Sequence, residues 1–542
     1  MASEFTPIEI KNFSGAFTNV GDPRSLRPDE AQDFKNLVLF GNGSFGSRAG
    51  AKRIAEQIDT TEITALMALV KKSSPVYLIA GYDDKIVKWD ESGNVWSSAI
   101  HTSTTSGESR DGVSYDDYIW MVNKGTGLLD DFARYDGTTY TEYPANPKGN
   151  KITLNKQRAI VSGVDSALQN VYYSAIDDLT DFTYSTPRAA GEGGIVSFPE
   201  FGDAVTSLVT RDFGADLKSP TYIFKGSSIW TLSWETITLT SGVVEDYPVR
   251  SLLKSNTGCS FARAAYFDSN NIFYADEKHK DMRTLGYQAS LTDQRTNSIT
   301  NRIKNTMKYL NFDEAAIIEY DNKILMACKT SEATFNDVVV CADSLYPSED
   351  RPAALSVFDW HVNCWEIYKN DLYFGSSDSG DVYKAFEEND DEGAAISCLY
   401  SSGNMGFGIP SIAKRCESVF IEGYMTDVAE ITIKAFHDFN ISETWSVTIN
   451  GQSDVVSQNI SVALGTSSLG SETPLGGGSG GNPDTDYKPF YASIKTPRTK
   501  WFRQKLTIES DTAGGAWIVN NITYNVSSED PKWMPTSHQI PT

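Results

Sequence analysis

Between residues 76 and 386 the chain keeps returning to one pattern: an apolar strand, a turn holding Asp and Gly, then a strand carrying an aromatic. "VYLIAGYDDKIVKWDESGNVWSSAI" (76–100), "YDDYIWMVNKGTGLLDDFARYDGTTYTEYP" (115–144) and "NKQRAIVSGVDSALQNVYYSAIDDLTDF" (155–182) are the clearest copies. "PTYIFKGSSIWTLSWE" (220–235), "SNNIFYADEKHKDMRTLGY" (269–287) and "NDLYFGSSDSGDVYKAF" (370–386) extend the series. Asp and Gly tolerate the backbone angles that tight hairpins need. Two anchors, Trp89-Asp90 and Tyr135-Asp136, lie 46 residues apart. A period of about 40–50 residues with several strands per unit is the signature of a β-propeller, whose blades bury their faces only by stacking into a closed ring. The reading is therefore all-β: a β-propeller of six or seven degenerate blades over 61–404, with an appended C-terminal β-sandwich over 405–530. Aromatic residues make up 12% of the chain, which suits strands.

The sandwich rests on four alternating segments: "RCESVFIEGYM" (415–425), "AEITIKAFHDF" (429–439), "KWFRQKLTIES" (500–510) and "GAWIVNNITYNV" (515–526). The Gly-rich stretch 463–488 between them cannot bury a core and reads as a loop. Residues 531–542 read as an extended tail, with Trp533 and Met534 as its docking side chains. "TNSITNRIKNTMKYL" (296–310) breaks the strand rhythm. It places Ile299, Ile303, Met307 and Leu310 on one helical face and predicts a short helix packed on the propeller.

Lys and Arg total 47 against 71 Asp and Glu, a net charge of −24. Affinity for nucleic acid comes from basic side chains displacing counterions, so such a chain does not grip DNA. It suits a wall that DNA passes without sticking. The start, "MASEFTPIEI", carries no secretory pattern, and "ITALMALV" is too short to span a bilayer. Cys259, Cys328, Cys341, Cys364, Cys398 and Cys416 form no C-x-x-C pair and read as free buried thiols. Five dispersed histidines suggest no metal site.

Gly41, Gly43 and Gly46 fit G-x-G-x-x-G, with Glu62 at a plausible distance for a ribose contact. A dinucleotide site also needs a helix opening on the glycines inside an alternating α/β unit, and the surroundings are β-rich. The stretch reads as a Gly-rich hairpin turn. Ser376, Asp378, Gly380 and Tyr383 fit the Asp-box pattern S-x-D-x-G-x-x-aromatic, a structural hairpin turn in sialidase-like propellers. Asp83–Asp84, Asp130–Asp131 and "DTDYK" read as solvated turn charges rather than Ca²⁺ ligands. No catalytic, cofactor-binding or metal residues are assigned, and no cofactor is expected.

Read more widely, "NFSGAFTNVGDPRSLRPDEAQDFKNLVLFGNGSFGSRAG" (12–50) resembles the opening of tail nozzle and packaged-DNA stabilisation proteins (head-to-tail plugs) of short-tailed bacteriophages. The residues carrying the likeness are Gly15, Asn19, Asp22, Leu26, Asp29, Glu30, Ala31, Asp33, Asn36, Gly43, Arg48 and Gly50. Ala16 replaces the second glycine of the family's opening pair. Further segments up to about residue 385 resemble the family at the level of pattern. The resemblance implies a structural protein of the virion tail, made in the host cytoplasm and not an enzyme. It implies a ring, commonly six-fold, joined to a portal or adaptor and other tail proteins. DNA would cross its lumen without tight binding, and nothing would insert into a membrane. Residues 1–60 would be an extended and hairpin segment for ring assembly. Two other readings stay open. One is a tail-tip receptor or glycan binder using Trp445, Trp501 and Trp517 as a platform. The other is a propeller glycosidase built on paired carboxylates.

Overall fold

Two-residue turns set the architecture. Asp116-Asp117, Lys156-Gln157, Asp321-Asn322 and Lys369-Asn370 each join two paired strands, and all eight residues have φ between +48° and +71°. Two successive positive φ values give a turn whose twist matches that of the flanking strands. Each turn opens a four-stranded antiparallel unit. The computed structural model describes residues 5–72, 75–103, 107–125, 128–185, 191–210, 220–238, 244–268, 271–286, 296–347, 353–408, 411–438, 440–451, 487–496 and 500–528. The Gly-rich loop, apart from Tyr487 and Lys488, and the tail with Trp533 and Met534 lie outside the described residues.

Seven such units follow one another. The first is Ile63–Leu69, Tyr77–Tyr82, Lys85–Asp90 and Val95–Trp96; the second Gly107–Tyr115, Tyr118–Gly125, Phe132–Tyr135 and Tyr140–Tyr143. The third is Lys151–Asn155, Arg158–Ser162, Asn170–Tyr173 and Gly194–Ser197; the fourth Val205–Thr210, Thr221–Lys225, Ser228–Thr238 and Val244–Ser255. The fifth is Ala265–Asp268, Asn271–Asp276, Asp281–Gly286 and Thr296–Ser298; the sixth Leu310–Tyr320, Lys323–Thr330, Val338–Asp343 and Ala354–Phe358. The seventh takes Val362–Tyr368, Asp371–Ser376 and Val382–Ala385 from one end of the series and Ala51–Arg53 from the other.

The leading strand of each unit touches that of the next, and Val362–Tyr368 of the seventh touches Ile63–Leu69 of the first. Apolar clusters fill the spaces between units. Met67, Ile79, Ile119 and Met121 lie between the first and second; Trp120, Val122, Ile152 and Val161 between the second and third. Ala316, Leu325, Trp365 and Phe374 join the sixth and seventh, and Leu66, Leu78, Cys364 and Tyr368 join the seventh and first. Strands buried on both faces read as near-continuous apolar runs, as in "ITALMAL". The architecture is all-β, with many four-stranded antiparallel sheets, consistent with a β-propeller.

Two outer groups of strands lie beyond the seven units. One extends the sixth unit through Glu30–Lys35, Cys398–Ser402, Gln504–Ser510, Glu430–His437 and Trp445–Asn450. The other runs Leu37–Leu39, Phe45–Ser47, Trp517–Ser528, Lys414–Met425, Lys488–Lys495, with Thr6–Ile10 also on Trp517–Ser528. Ile433, Leu506 and Ile508 of the first share a core with Val419, Ile421, Val519 and Tyr524 of the second. The first sixty residues are thus woven into their own chain. They supply strands to both outer sheets and to the seventh unit.

The expected helix is a single α-turn, Lys304–Met307, preceded by the 3-10 turn Asn301–Ile303. Strands claim both flanks, which is why it is so short. Ile299, Ile303, Met307 and Leu310 are nonetheless all buried in one cluster, as the spacing predicts.

Candidate functional site

The G-x-G-x-x-G stretch is a hairpin. Leu37–Leu39 pairs with Phe45–Ser47, and Gly43 takes φ +81° at the turn. The segment after it is the strand Ala51–Arg53, so the helix a nucleotide site requires is replaced by sheet. Glu62 accepts from Asn363 Nδ2 at 3.0 Å instead of standing free for a ribose.

Immediately past that hairpin, three resemblance residues, Asn36, Arg48 and Gly50, share a buried junction. Arg48 has no exposed side-chain surface. Its Nη1 and Nη2 donate to Asp391 Oδ1 and Oδ2 at 3.0 and 2.7 Å, a bidentate pair, and Nη2 also donates to Asp359 Oδ1 at 3.2 Å. Nε donates to Asn36 Oδ1 at 3.0 Å, and the guanidinium lies 4.5 Å from the Trp360 ring centre. Trp360 Nε1 and the Ala51 amide both donate to Asp391 Oδ1 at 3.0 Å. Burial works to raise the Asp359 carboxyl, but Arg48 and Lys35 outweigh it and hold it below its ordinary value. Asn36, at φ +54°, also binds the Ser397 carbonyl through Nδ2 at 2.8 Å. A Cβ on Gly50 would sit 1.8 Å from the Asp390 carbonyl oxygen.

The other resemblance residues make separate contacts along the same N-terminal segment. Gly15 packs against the Asp29–Glu30 backbone, where a Cβ would lie 2.2 Å from the Asp29 oxygen. Glu30 is buried, accepting from the Arg27 amide at 2.8 Å and pairing with Arg27 at 3.2 Å. Asn19 docks the 301–307 turn: its amide reaches the Arg302 carbonyl at 2.9 Å and its Nδ2 the Thr306 hydroxyl at 2.5 Å. Asp22 is exposed and holds Arg24, whose hydrogen bonds keep the carboxyl at about 2. Leu26 lies against Gly403. Ala31 and Asp33 sit on the strand paired with Cys398–Ser402, and burial pushes the Asp33 carboxyl up. Gly43 leaves room for Asn12.

The Asp-box residues form the turn between Asp371–Ser376 and Val382–Ala385. Ser376 Oγ donates to Asp378 Oδ1 at 2.6 Å, and His361 Nδ1 lies 2.6 Å from Oδ2. Burial opposes ionisation of Asp378, yet Ser376 and His361 hold its carboxyl below the ordinary value. A Cβ on Gly380 would meet the Asp59 carbonyl at 2.2 Å, and the Tyr383 ring stacks 5.1 Å from Phe374. These are the contacts of a turn that anchors 58–59 to the seventh unit, since the Ile58 amide donates to Gly380 O at 2.9 Å.

Two charged layers that the sequence did not single out lie where the leading strands converge. In one, Arg263 donates through Nη1 to the Thr64 carbonyl and through Nη2 to Asn363 Oδ1 at 2.8 Å, and its own carbonyl accepts from Ile317 at 3.0 Å. Arg110 reaches the Thr64 hydroxyl at 2.8 Å. This layer cross-links the first, second, sixth and seventh units to the residue that leads into the fifth.

In the other, Asp111 of the second unit and Lys151 of the third pair at 3.0 Å. Both act on Glu366 of the seventh, whose carboxyl is pushed up to about 8 by burial first and Asp111 second. Burial, then Glu319 of the sixth unit, Glu366 and Asp268 of the fifth, push the Tyr266 hydroxyl up to about 12. Carboxylates of the second, fifth, sixth and seventh units thus lie near enough to act on these groups. A carboxyl raised in this way is the kind a general acid needs. Asp111, the obvious second carboxylate, is committed: Oδ1 to Lys151 and Oδ2 to the Ile152 amide at 2.9 Å. The only hint of Glu366 in the sequence is a carboxylate inside the strand "VNCWEIY", where Asn363 is the other strongly polar residue.

The remaining candidates resolve simply. All six cysteines are free and buried. Trp501 and Trp517 are wholly buried and Trp445 is half-buried, so the proposed platform is core rather than surface. Asp131 pairs with Lys148 at 2.5 Å, and Asp130 bonds Asn123. Among the described residues no group of His, Cys, Asp or Glu is placed to hold a metal ion.

The class these features define is an all-β protein of repeated four-stranded sheets. No family model matches the chain, and no curated protein matches it. Among solved structures, YCF48 from Cyanidioschyzon merolae is similar at 9% identity and a TM-score of 0.38, over 62% of this chain and 98% of that one.

Proposed function

We propose that the chain is a structural, non-enzymatic protein of a bacteriophage virion: a seven-bladed β-propeller with an appended β-sandwich. Several copies would form a ring-shaped tail nozzle or head-to-tail plug that closes the DNA channel, retains packaged DNA and opens for ejection. The observation that carries this reading is the junction at Arg48. Three of the residues chosen only for their likeness to the short-tailed phage proteins, Asn36, Arg48 and Gly50, come together there, next to Asp391 and the seventh unit's strand Ala51–Arg53.

The axial layers bear on where DNA would travel. Arg263 and its partners link several units of a single chain near their leading strands, which supports a lumen between subunits rather than within one. Six copies would bring six times the chain's −24 charges around it, a wall that repels phosphates. The partners are other copies of the chain, a portal or adaptor, and other tail proteins, assembled in the host cytoplasm into the virion tail.

Native mass spectrometry of the purified chain, alone and with its phage's tail proteins, tests this. Assemblies at six or twelve times the 59.7 kDa chain mass are expected. A monomer under both conditions overturns the reading.

A further inference from the structure

The outer face of the sheet built on Lys414–Met425 holds a group of side chains that neither the junction nor the axis uses. Alternation sends Val419 and Ile421 into the core and Phe420, Glu422 and Tyr424 outward. On the edge strand Lys488–Lys495, Phe490 and Ile494 point in while Tyr491 points out, and on Trp517–Ser528 the partner of Glu422 is Asn521. Tyr491, Glu422 and Asn521 therefore form one cross-strand row. With neighbouring strands ~4.8 Å apart, the row spans roughly 10 Å.

Tyr491 is 45% exposed and Tyr424 39%. The Phe420 ring lies beside that of Tyr491 on the same face, 5.8 Å away and tilted by 36°. Asn521 Nδ2 donates to Glu422 Oε2 at 3.5 Å and to the Thr523 hydroxyl at 3.2 Å, holding the carboxylate beside the rings. Glu422 Oε1 makes no hydrogen bond among the described residues. Lys11, paired with Glu9 at 2.6 Å, stands close enough to feel the Glu422 charge.

We propose that this face binds a neutral pyranose glycan. Exposed tyrosines flanking a fixed acceptor offer the two things a sugar ring presents. The flat aromatic surfaces take its C–H face, and the carboxylate oxygen accepts from its equatorial hydroxyls. An anionic glycan is disfavoured, because the charge at the centre of the row is the Glu422 carboxylate and Lys11 is already paired with Glu9. A protein partner would meet a patch whose centre is a carboxylate, whereas the cores of protein interfaces are depleted of charge. The inference is independent of the ring assembly proposed above.

The test is calorimetric titration of the full chain with hexaoses of glucose, galactose and mannose, beside Tyr491→Ala, Glu422→Gln and the Tyr424→Ala/Tyr491→Ala double variant. Because the tyrosines are exposed, native mass spectrometry and thermal midpoints of these variants should match the parent. Saturable binding of at least one hexaose is expected, weakened about ten-fold or more by Tyr491→Ala and by Glu422→Gln, and lost in the double variant. Absence of saturable binding by all three hexaoses overturns the proposal. So does binding that the variants leave unchanged. Loss of self-assembly in the double variant also overturns it, by making the patch a contact between copies.

Discussion

Replacing Arg48 with alanine should loosen the seam between the first fifty residues and the rest of the molecule. The guanidinium makes three bonds to carboxylates and one to Asn36, and it lies over Trp360. Removing one partner of a buried, hydrogen-bonded ion pair costs about 3–5 kcal/mol. Losing the ring contact adds about 1 kcal/mol. Asp359 and Asp391 keep 38% and 29% of their side-chain surface exposed, so water partly replaces the arginine. The net expectation is therefore about 3 kcal/mol. Arg48→Lys should cost about 2 kcal/mol, because an ammonium cannot bridge both oxygens of Asp391. Urea unfolding followed by tryptophan fluorescence gives the size of the loss, and hydrogen exchange over residues 30–53 gives its location. A double-mutant cycle with Asp391→Asn isolates the pair, and a coupling of at least about 1.5 kcal/mol is expected. A loss below about 0.5 kcal/mol, or zero coupling, would show that the seam holds without this arginine.

Glu366→Gln should reveal a pH-dependent penalty. The folded carboxyl holds its proton up to about pH 8, whereas the unfolded one releases it near 4.5. The folded state thus binds the extra proton between those values, and the parent loses stability as pH rises through that window. The glutamine variant should match the parent near pH 4.5 and exceed it by up to a few kcal/mol at pH 8, at about 1.4 kcal/mol per pKa unit. An offset that does not change with pH refutes this. Gly50→Ala should cost more than about 2 kcal/mol through its 1.8 Å clash with Asp390. Gly226→Ala, whose nearest neighbour is 3.6 Å away, should change the thermal midpoint little. All six thiols should resist a disulfide reagent at pH 8 and react in denaturant. Burial pushes Cys259, Cys364 and Cys398 up to about 12 and Cys416 to about 11, and raises Cys328 and Cys341 as well. Fast labelling of the native chain would show that the interfaces between units open readily.

Local chemistry was the legible part of the sequence. The Asp pair in "YDDYI" marks its turn because Asp tolerates positive φ, whereas Lys156-Gln157 turns with no such residue to announce it, and the spacing of Ile299, Ile303 and Met307 marks a buried face. The sixth unit passed unrecognised although "YDNKI" (320–324) nearly repeats "YDDKI" (82–86). Its 11-residue leading strand runs on from the helical turn and hides the rhythm. Ala51–Arg53 and Glu30–Lys35 were out of reach for a different reason. Three residues, or a strand reading "EAQDFK", have no pattern of their own, and their partners lie hundreds of residues away. The axial layers were hidden likewise, since no local spacing tells that Asp111, Lys151 and Glu366 meet.

The strand Thr6–Ile10 lies against Trp517–Ser528, and Ala51–Arg53 completes a sheet begun at Val362. On a ribosome adding about 5–20 residues per second, the first strand therefore waits roughly 25–100 s for its partner to be made. Throughout that interval the nascent chain carries unpaired strand edges, which recruit other chains. Birth of this molecule is thus its most exposed moment. A message cut short before residue 382 yields a polypeptide with neither closure, and one cut between 386 and 516 has only that of the seventh unit; both are for proteases and chaperones rather than smaller working proteins.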